Sequence, residues 1–191
     1  MKYLSLLLIN LAIFGFAFSA AAKKPDKYFE AVHNHLNFRE AASYANHVSN
    51  RNIEVGLERI SKDGMKRLLG NSTSKYLPFD IAVTNNSQFR IYINQIVIKN
   101  VGGQAYPHVD LSSVIEAIDP GGKGNKDDMR DAVLRTNILE KSLPHIVINP
   151  GETVQGIVFV KSKSLSEGDE LYLQIQNLKR VAFLDFKLSL N

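Results

Sequence analysis

Residues 78–100 read PFDIAVTNNSQFRIYINQIVIKN, and the fold follows from how that stretch divides. Phe79, Ile81 and Val83 alternate with Asp80, Ala82 and Thr84, so the two-residue period of a strand puts the three large apolar side chains on one face. That face must be buried, and the other is expected to be wetter. Asn85, Asn86 and Ser87 follow, with side chains that tolerate turn backbone and hydrogen-bond it locally. A second run, Phe89, Ile91 and Ile93, alternates with Arg90 and Tyr92, so the two runs together predict an antiparallel hairpin. Beyond Ile93 the apolar phase slips to Ile96 and Ile98, which predicts a bulge at Asn94 and Gln95.

Working outward, Ile53, Val55 and Leu57 alternate with Glu54 and Glu58 as a strand, and Lys62, Asp63 and Gly64 read as a turn. Met65–Leu69 is an apolar plug of about one helical turn closed by Gly70. Pro78 is expected to open its strand, since a missing amide donor is tolerated at a strand start or an edge. On the far side, Ile146–Ile148 is followed by Asn149, Pro150, Gly151 and Glu152, in which Pro150 presets the first central angle of a type II turn and Gly151 takes the positive one. The strand Thr153–Val160 shifts phase across Gly156, again predicting a bulge. Leu171, Leu173 and Ile175, and then Leu184, Phe186, Leu188 and Leu190, alternate with polar neighbours as half-buried strands.

Between the two sets of strands the alternation dissolves. Val109–Ile118 has room for about two helical turns, and Lys126–Leu139 reads as the stronger helix, with Asn125 as its cap, Asp127 and Asp128 in its first turn, and Met129, Val133 and Leu134 along one side. The GGKGNK run before it is not a phosphate loop: no Ser or Thr follows the Lys, and two aspartates put negative charge where an anion would sit. Near the N-terminus, Asp26–His47 tolerates a short helix through Tyr28, Phe29, Val32 and Leu36. His33 and His35 are two apart and lack a partner at ligand spacing, so they read as exposed polar residues and not as a metal site.

Lys2, the apolar run Leu4–Phe18 and the small residues Ser19–Ala22 have the pattern of a secretory signal peptide, expected over residues 1–22 and removed on export. The apolar run is shorter than the roughly 20 residues a spanning helix needs, and no later segment has the length. The chain has no cysteine, which removes disulfides and a cysteine-based lipid anchor, and fits the periplasm or exterior of a Gram-negative bacterium. Removing Lys2 from the 23 basic residues leaves 22 against 19 acidic ones, too even a balance for a nucleic-acid partner. The domain reading is then a signal peptide over 1–22, a helical or irregular extension over 23–50, and one mainly β domain over 51–191 holding a helical insertion near 109–143. About seven strands, without regular alternation of strand and helix, make an antiparallel sandwich.

On these residues the chain resembles a loose group of bacterial envelope proteins that carry an immunoglobulin-like sandwich domain, related in pattern to the late-embryogenesis-abundant and water-stress domains of plants. FDIAVTNNS, NPGETVQGIVFV and the two terminal strands carry the likeness, which spans Ile53–Asn191. It implies two packed sheets and no established catalytic residues; the helical crossover is longer than the pattern usually shows.

For function, the expectation is an exported, non-enzymatic binding or assembly module that contacts another envelope or extracellular protein, with no cofactor and no metal. Its contact residues are expected in the insertion, where Tyr106, His108, Lys123 and Lys126 join an aromatic and cations in a segment the core is not expected to need. The alternative is a hydrolase whose site lies within 101–143, built on His108 with Asp110, Asp119, Asp127, Asp128 and Asp131. Gly-x-Ser-x-Gly and His-Glu-x-x-His are both absent, and the aspartate spacing matches no calcium loop.

Overall fold

The computed structural model describes residues 26–120, 128–179 and 181–190. The expected signal peptide, the Asn125 cap, Asp127, Lys123 and Lys126 lie outside the described residues. Among the described residues nine strands form two antiparallel sheets. Sheet A has the order β1 (Asn46–Asn50), β2 (Ile53–Arg59), β3 (Tyr76–Asn85), β7 (Thr153–Lys161); sheet B has the order β5 (Ala105–Pro107), β4 (Ile91–Lys99), β8 (Glu170–Asn177), β9 (Ala182–Ser189), with β6 (Val147–Ile148) also on β4.

The inward parity of β3 is the expected one: Phe79, Ile81 and Val83 are buried between the sheets with Ile53, Val55, Leu57, Val158 and Val160. The bulge is also where the phase slip puts it. Ile93 pairs with Ile175 and Gln95 with Gln174, so Asn94 is the extra residue, and Ile91, Ile93, Ile96 and Ile98 all reach the same core.

The hairpin does not form. β3 is flanked on both sides, by β2 and β7, so the chain after Asn85 crosses to sheet B and β4 finds its neighbours there. The Pro150-Gly151 turn also crosses between sheets, joining β6 to β7, with Gly151 at φ 81° as expected. Asn85, fully buried, ties the two crossings together. Its N–H donates to Glu152 O (2.9 Å), its O accepts from Gly151 N (2.7 Å), and its side chain donates to Phe89 O and Ile148 O and accepts from Ser87 N. Two further expectations change. Pro78 lies third in β3, paired with Phe159, rather than at its start. Asn46–Asn50, in the stretch read as an extension, is an edge strand whose tight turn uses Arg51 and Asn52 at positive φ.

A third layer covers the outer face of sheet A. It contains α1 (Lys27–Val32), α2 (Lys62–Leu69), α3 (Leu111–Ile118) and α4 (Asp128–Lys141). The residues read as a turn at 62–64 are the first turn of α2, because the Ser61 hydroxyl accepts from Gly64 N (3.0 Å) and caps it. This layer explains the phase shift in β7. Pairing to β3 runs without a register change through Gly156, so no bulge exists; Ile157 and Phe159 face the helices while Val158 and Val160 face the sandwich. Gly156 serves close approach, since a Cβ there would lie 2.3 Å from Leu143 Cα. On α4 the buried stripe is Leu134 and Ile138, whereas Met129 is exposed. Next to it, buried Asn137 and Lys141 satisfy the last carbonyls of two other helices: Asn137 donates to Leu68 O (3.0 Å), and Lys141 Nζ donates to Ala31 O (3.0 Å) and to Asn137 Oδ1.

Candidate functional site

Of the residues expected to meet a partner, Tyr106 and His108 are described. Tyr106 is half-buried against the sandwich core, and its hydroxyl accepts from Asn100 Nδ2 at 2.7 Å. His108 follows β5 with Nδ1 3.3 Å from Ile96 O, and its ring stacks with that of His145, centroids 6.4 Å apart. Of the aspartates of the hydrolase alternative, Asp110 and Asp119 are each held by a neighbour of their own. Asp110 caps α3 by accepting from Ser113 N (3.0 Å) and Ser113 Oγ (2.7 Å), which holds its carboxyl below the ordinary range, and Asp119 lies 3.5 Å from Arg130. His33 and His35 are exposed, as expected. Among the described residues no three His, Cys, Asp or Glu side chains come together as a metal site.

The structure instead assembles a polar cluster on the outer face of sheet A, under a strap formed by residues 36–45. Asp80, Ala82 and Thr84 of β3 share that face with Gly56 of β2 and Gln155 and Thr153 of β7. Small residues make the floor: a Cβ on Gly56 would lie 2.6 Å from the Tyr44 ring, so the glycine admits the aromatic side chain. Gln155 clamps the strap backbone by accepting from Arg39 N (3.2 Å) and donating to Asn37 O (3.0 Å), and Thr84 Oγ1 accepts from Ala41 N (3.0 Å). The Asp80 carboxylate accepts from Tyr44 Oη (2.9 Å) and Gln155 Nε2 (3.0 Å), with Arg39 at 3.4 Å; Arg39 also pairs with Glu58 and stacks on the Tyr44 ring. Burial pushes the Asp80 carboxyl above its ordinary range against the pull of those bonds, and burial with the Asp80 charge pushes the Tyr44 hydroxyl up. Each carboxylate oxygen is engaged, so the cluster works as a clasp for the strap. Two clefts flank it, one of about 660 Å³ lined by Ser43, Leu57, Phe79, Leu165 and Leu190, the other of about 380 Å³ lined by Leu36, Arg59, Arg67 and Leu68.

Among the described residues, the outer face of sheet B carries several exposed side chains. One register row crosses it as Val147, Tyr92, Gln176 and Phe183, three strand spacings or about 14 Å wide. Phe183 is 51% exposed and Val147 40%, and Leu178 and Val181 add apolar surface in the turn at the same end. The next row is polar: Asn94 donates to Gln174 (2.8 Å) and Gln174 to Asp185 (3.1 Å). Neither the clasp nor this face had a local signal, because alternation marks both outer faces as polar without saying which one is covered.

No protein-family model matches the chain, and no curated protein matches it in sequence. Among solved structures it is similar to the yjhA protein from Bacillus subtilis, at 9% identity and a TM-score of 0.41 over 78% of this chain and 98% of that one. A second similar structure, Northeast Structural Genomics Consortium target SoR45, has 10% identity and a TM-score of 0.30 over 72% of this chain and 80% of that one. Among the described residues no helix is long and apolar enough to cross a membrane.

Proposed function

We propose that the protein is an exported, non-enzymatic binding module of the cell envelope or secreted fraction, folded as an immunoglobulin-like sandwich, which meets another protein with the outer face of sheet B. The observation that carries this reading is the uncovered row Val147, Tyr92 and Phe183. Sheet A buries its outer face under helices and a strap, while sheet B leaves aromatic and aliphatic side chains in water. In support of the immunoglobulin-like class, β2, β3 and β7 lie in the order of strands A, B and E, and β4, β8 and β9 in that of C, F and G. The chain departs from that pattern by inserting α3 and α4 between β5 and β6.

Crosslinking in envelope extracts tests the proposal with three proteins. Wild type and Arg135→Glu, a change on the exposed side of the helical layer, should capture the same protein, and the double variant Val147→Asp/Phe183→Asp should lose it while keeping its fold. Undiminished capture by the double variant would overturn the assigned face. Export is checked separately by intact mass: the mature chain should lack residues 1–22, and a secreted or envelope form that retains Met1 would contradict it.

A further inference from the structure

We propose that His108 and His145 form a binding site for a divalent transition-metal ion at the neck of the helical insertion. The two residues are 37 apart in sequence and arrive on separate segments that both run along the free edge of β7. Val109 N donates to Phe159 O (3.0 Å) on one segment, and Leu143 N donates to Ile157 O (3.1 Å) on the other. Those backbone bonds fix the segments one residue from His108 and two from His145, so the rings lie near each other because of the main chain and not through their own contact. Between and beneath them lies a cavity of about 280 Å³ with Val109, Leu111, Leu143, Ile157 and Phe159 in its lining.

The ring chemistry suits coordination. A carbonyl oxygen only accepts, so the contact of His108 Nδ1 with Ile96 O at 3.3 Å puts the proton of the neutral ring on Nδ1. Nε2 is left with its lone pair. A metal-bound histidine characteristically holds its other ring N–H in this way, against a backbone carbonyl that sets the tautomer. Distance requires one side-chain movement. With each coordinating nitrogen about 2.0–2.1 Å from a tetrahedral ion, two imidazole centroids lie about 5 Å apart. The observed stacked pair at 6.4 Å is wider than that, and the exposed His145 ring closes the gap by turning its nitrogen edge inward. Asp110 lines the same cavity but spends its oxygens on Ser113, so the protein supplies two nitrogen ligands and water completes the shell. Imidazole ligands select Zn²⁺, Cu²⁺ or Ni²⁺ over Mg²⁺ and Ca²⁺. An ion held here would bridge the entrance and exit of the insertion and tie the helical layer to sheet A.

Calorimetric titration of the untagged protein with Zn²⁺ is the experiment. One equivalent should bind, His108→Ala and His145→Ala should each weaken it at least tenfold, and His33→Ala/His35→Ala should leave it unchanged. Zn²⁺ should raise the melting temperature of wild type and not of His145→Ala, whose exposed side chain is not needed for folding. Absence of saturable Zn²⁺ binding would overturn the proposal, as would loss of binding in His33→Ala/His35→Ala alone or equal binding of Mg²⁺.

Discussion

Thr84 stands on the parity that alternation assigns to water, yet it is 4% exposed and its hydroxyl accepts the Ala41 amide and pairs with Thr153 Oγ1 at 2.9 Å. Thr84→Ala should therefore leave a buried N–H without its partner and cost about 1–3 kcal/mol. Ile81→Ala, which opens a cavity between the sheets, should cost about 2–5 kcal/mol. Urea melts of both variants measure the pair; a neutral Thr84→Ala would mean that the strap does not depend on this bond. The inward residues of β3 were legible because a two-residue period is a local property. Thr84 was not, because what covers it comes from residues more than forty positions away. Lys141 makes a second test at this scale. Burial holds its ammonium down to about 8 from an ordinary 10.5. The folded chain releases that proton above about 8 whereas the unfolded chain keeps it to about 10.5, so the unfolded state binds more protons in between and stability rises with pH there. The stability difference between wild type and Lys141→Met should grow in favour of wild type across that window. A flat difference would place the amine in water.

At the scale of elements, the strap of residues 36–45 has little regular structure of its own and is held by side chains of the sheet beneath it. Gln155→Ala removes the acceptor of Arg39 N and the donor to Asn37 O together. Residue-resolved hydrogen exchange should show the Arg39 amide exchanging at least tenfold faster, with Val55 and Ile81 in the strands unchanged. Unaltered exchange at Arg39 would show that the Asp80 contacts suffice without Gln155. Alternation located the inner strands and the bulge at Asn94, but it missed the edge strand β1, mistook the phase shift at Gly156 for a second bulge, and failed with the connection after Asn85. Asn85–Ser87 and Pro150-Gly151 encode tight local turning, which the structure contains, but a turn does not specify whether the next strand stays in its sheet. That choice belongs to β7, which occupies the side of β3 that a hairpin partner would have taken.

On the scale of the whole molecule, the insertion proves to be part of the core. Val114, Ile115, Ile118, Leu134 and Ile138 pack on Ile157 and Phe159, which point away from the sandwich. Replacing 111–141 by a short flexible linker should expose those two side chains, abolish cooperative melting and raise binding of a hydrophobic dye. A cooperative transition near the wild-type midpoint would show that the sandwich stands without its helical layer. Shortening only 121–125, outside the described residues, should change stability by about 1 kcal/mol or less, since closure entropy varies slowly with loop length. The apolar character of α3 and α4 was visible in the sequence; their destination was not, because the shift in β7 that prepares it, Ile157 and Phe159 outward against Val158 and Val160 inward, looks the same as a bulge.

The segments that carry Val109 and Leu143 along β7 also bear on self-association. VQGIVFV, residues 154–160, is the kind of β-branched, uncharged run that templates cross-β stacking when its backbone is open. Here the carbonyls of Ile157 and Phe159 already have donors from the same chain. A neighbouring molecule finds those two acceptors occupied, so pairing through them has to wait for the neck to open.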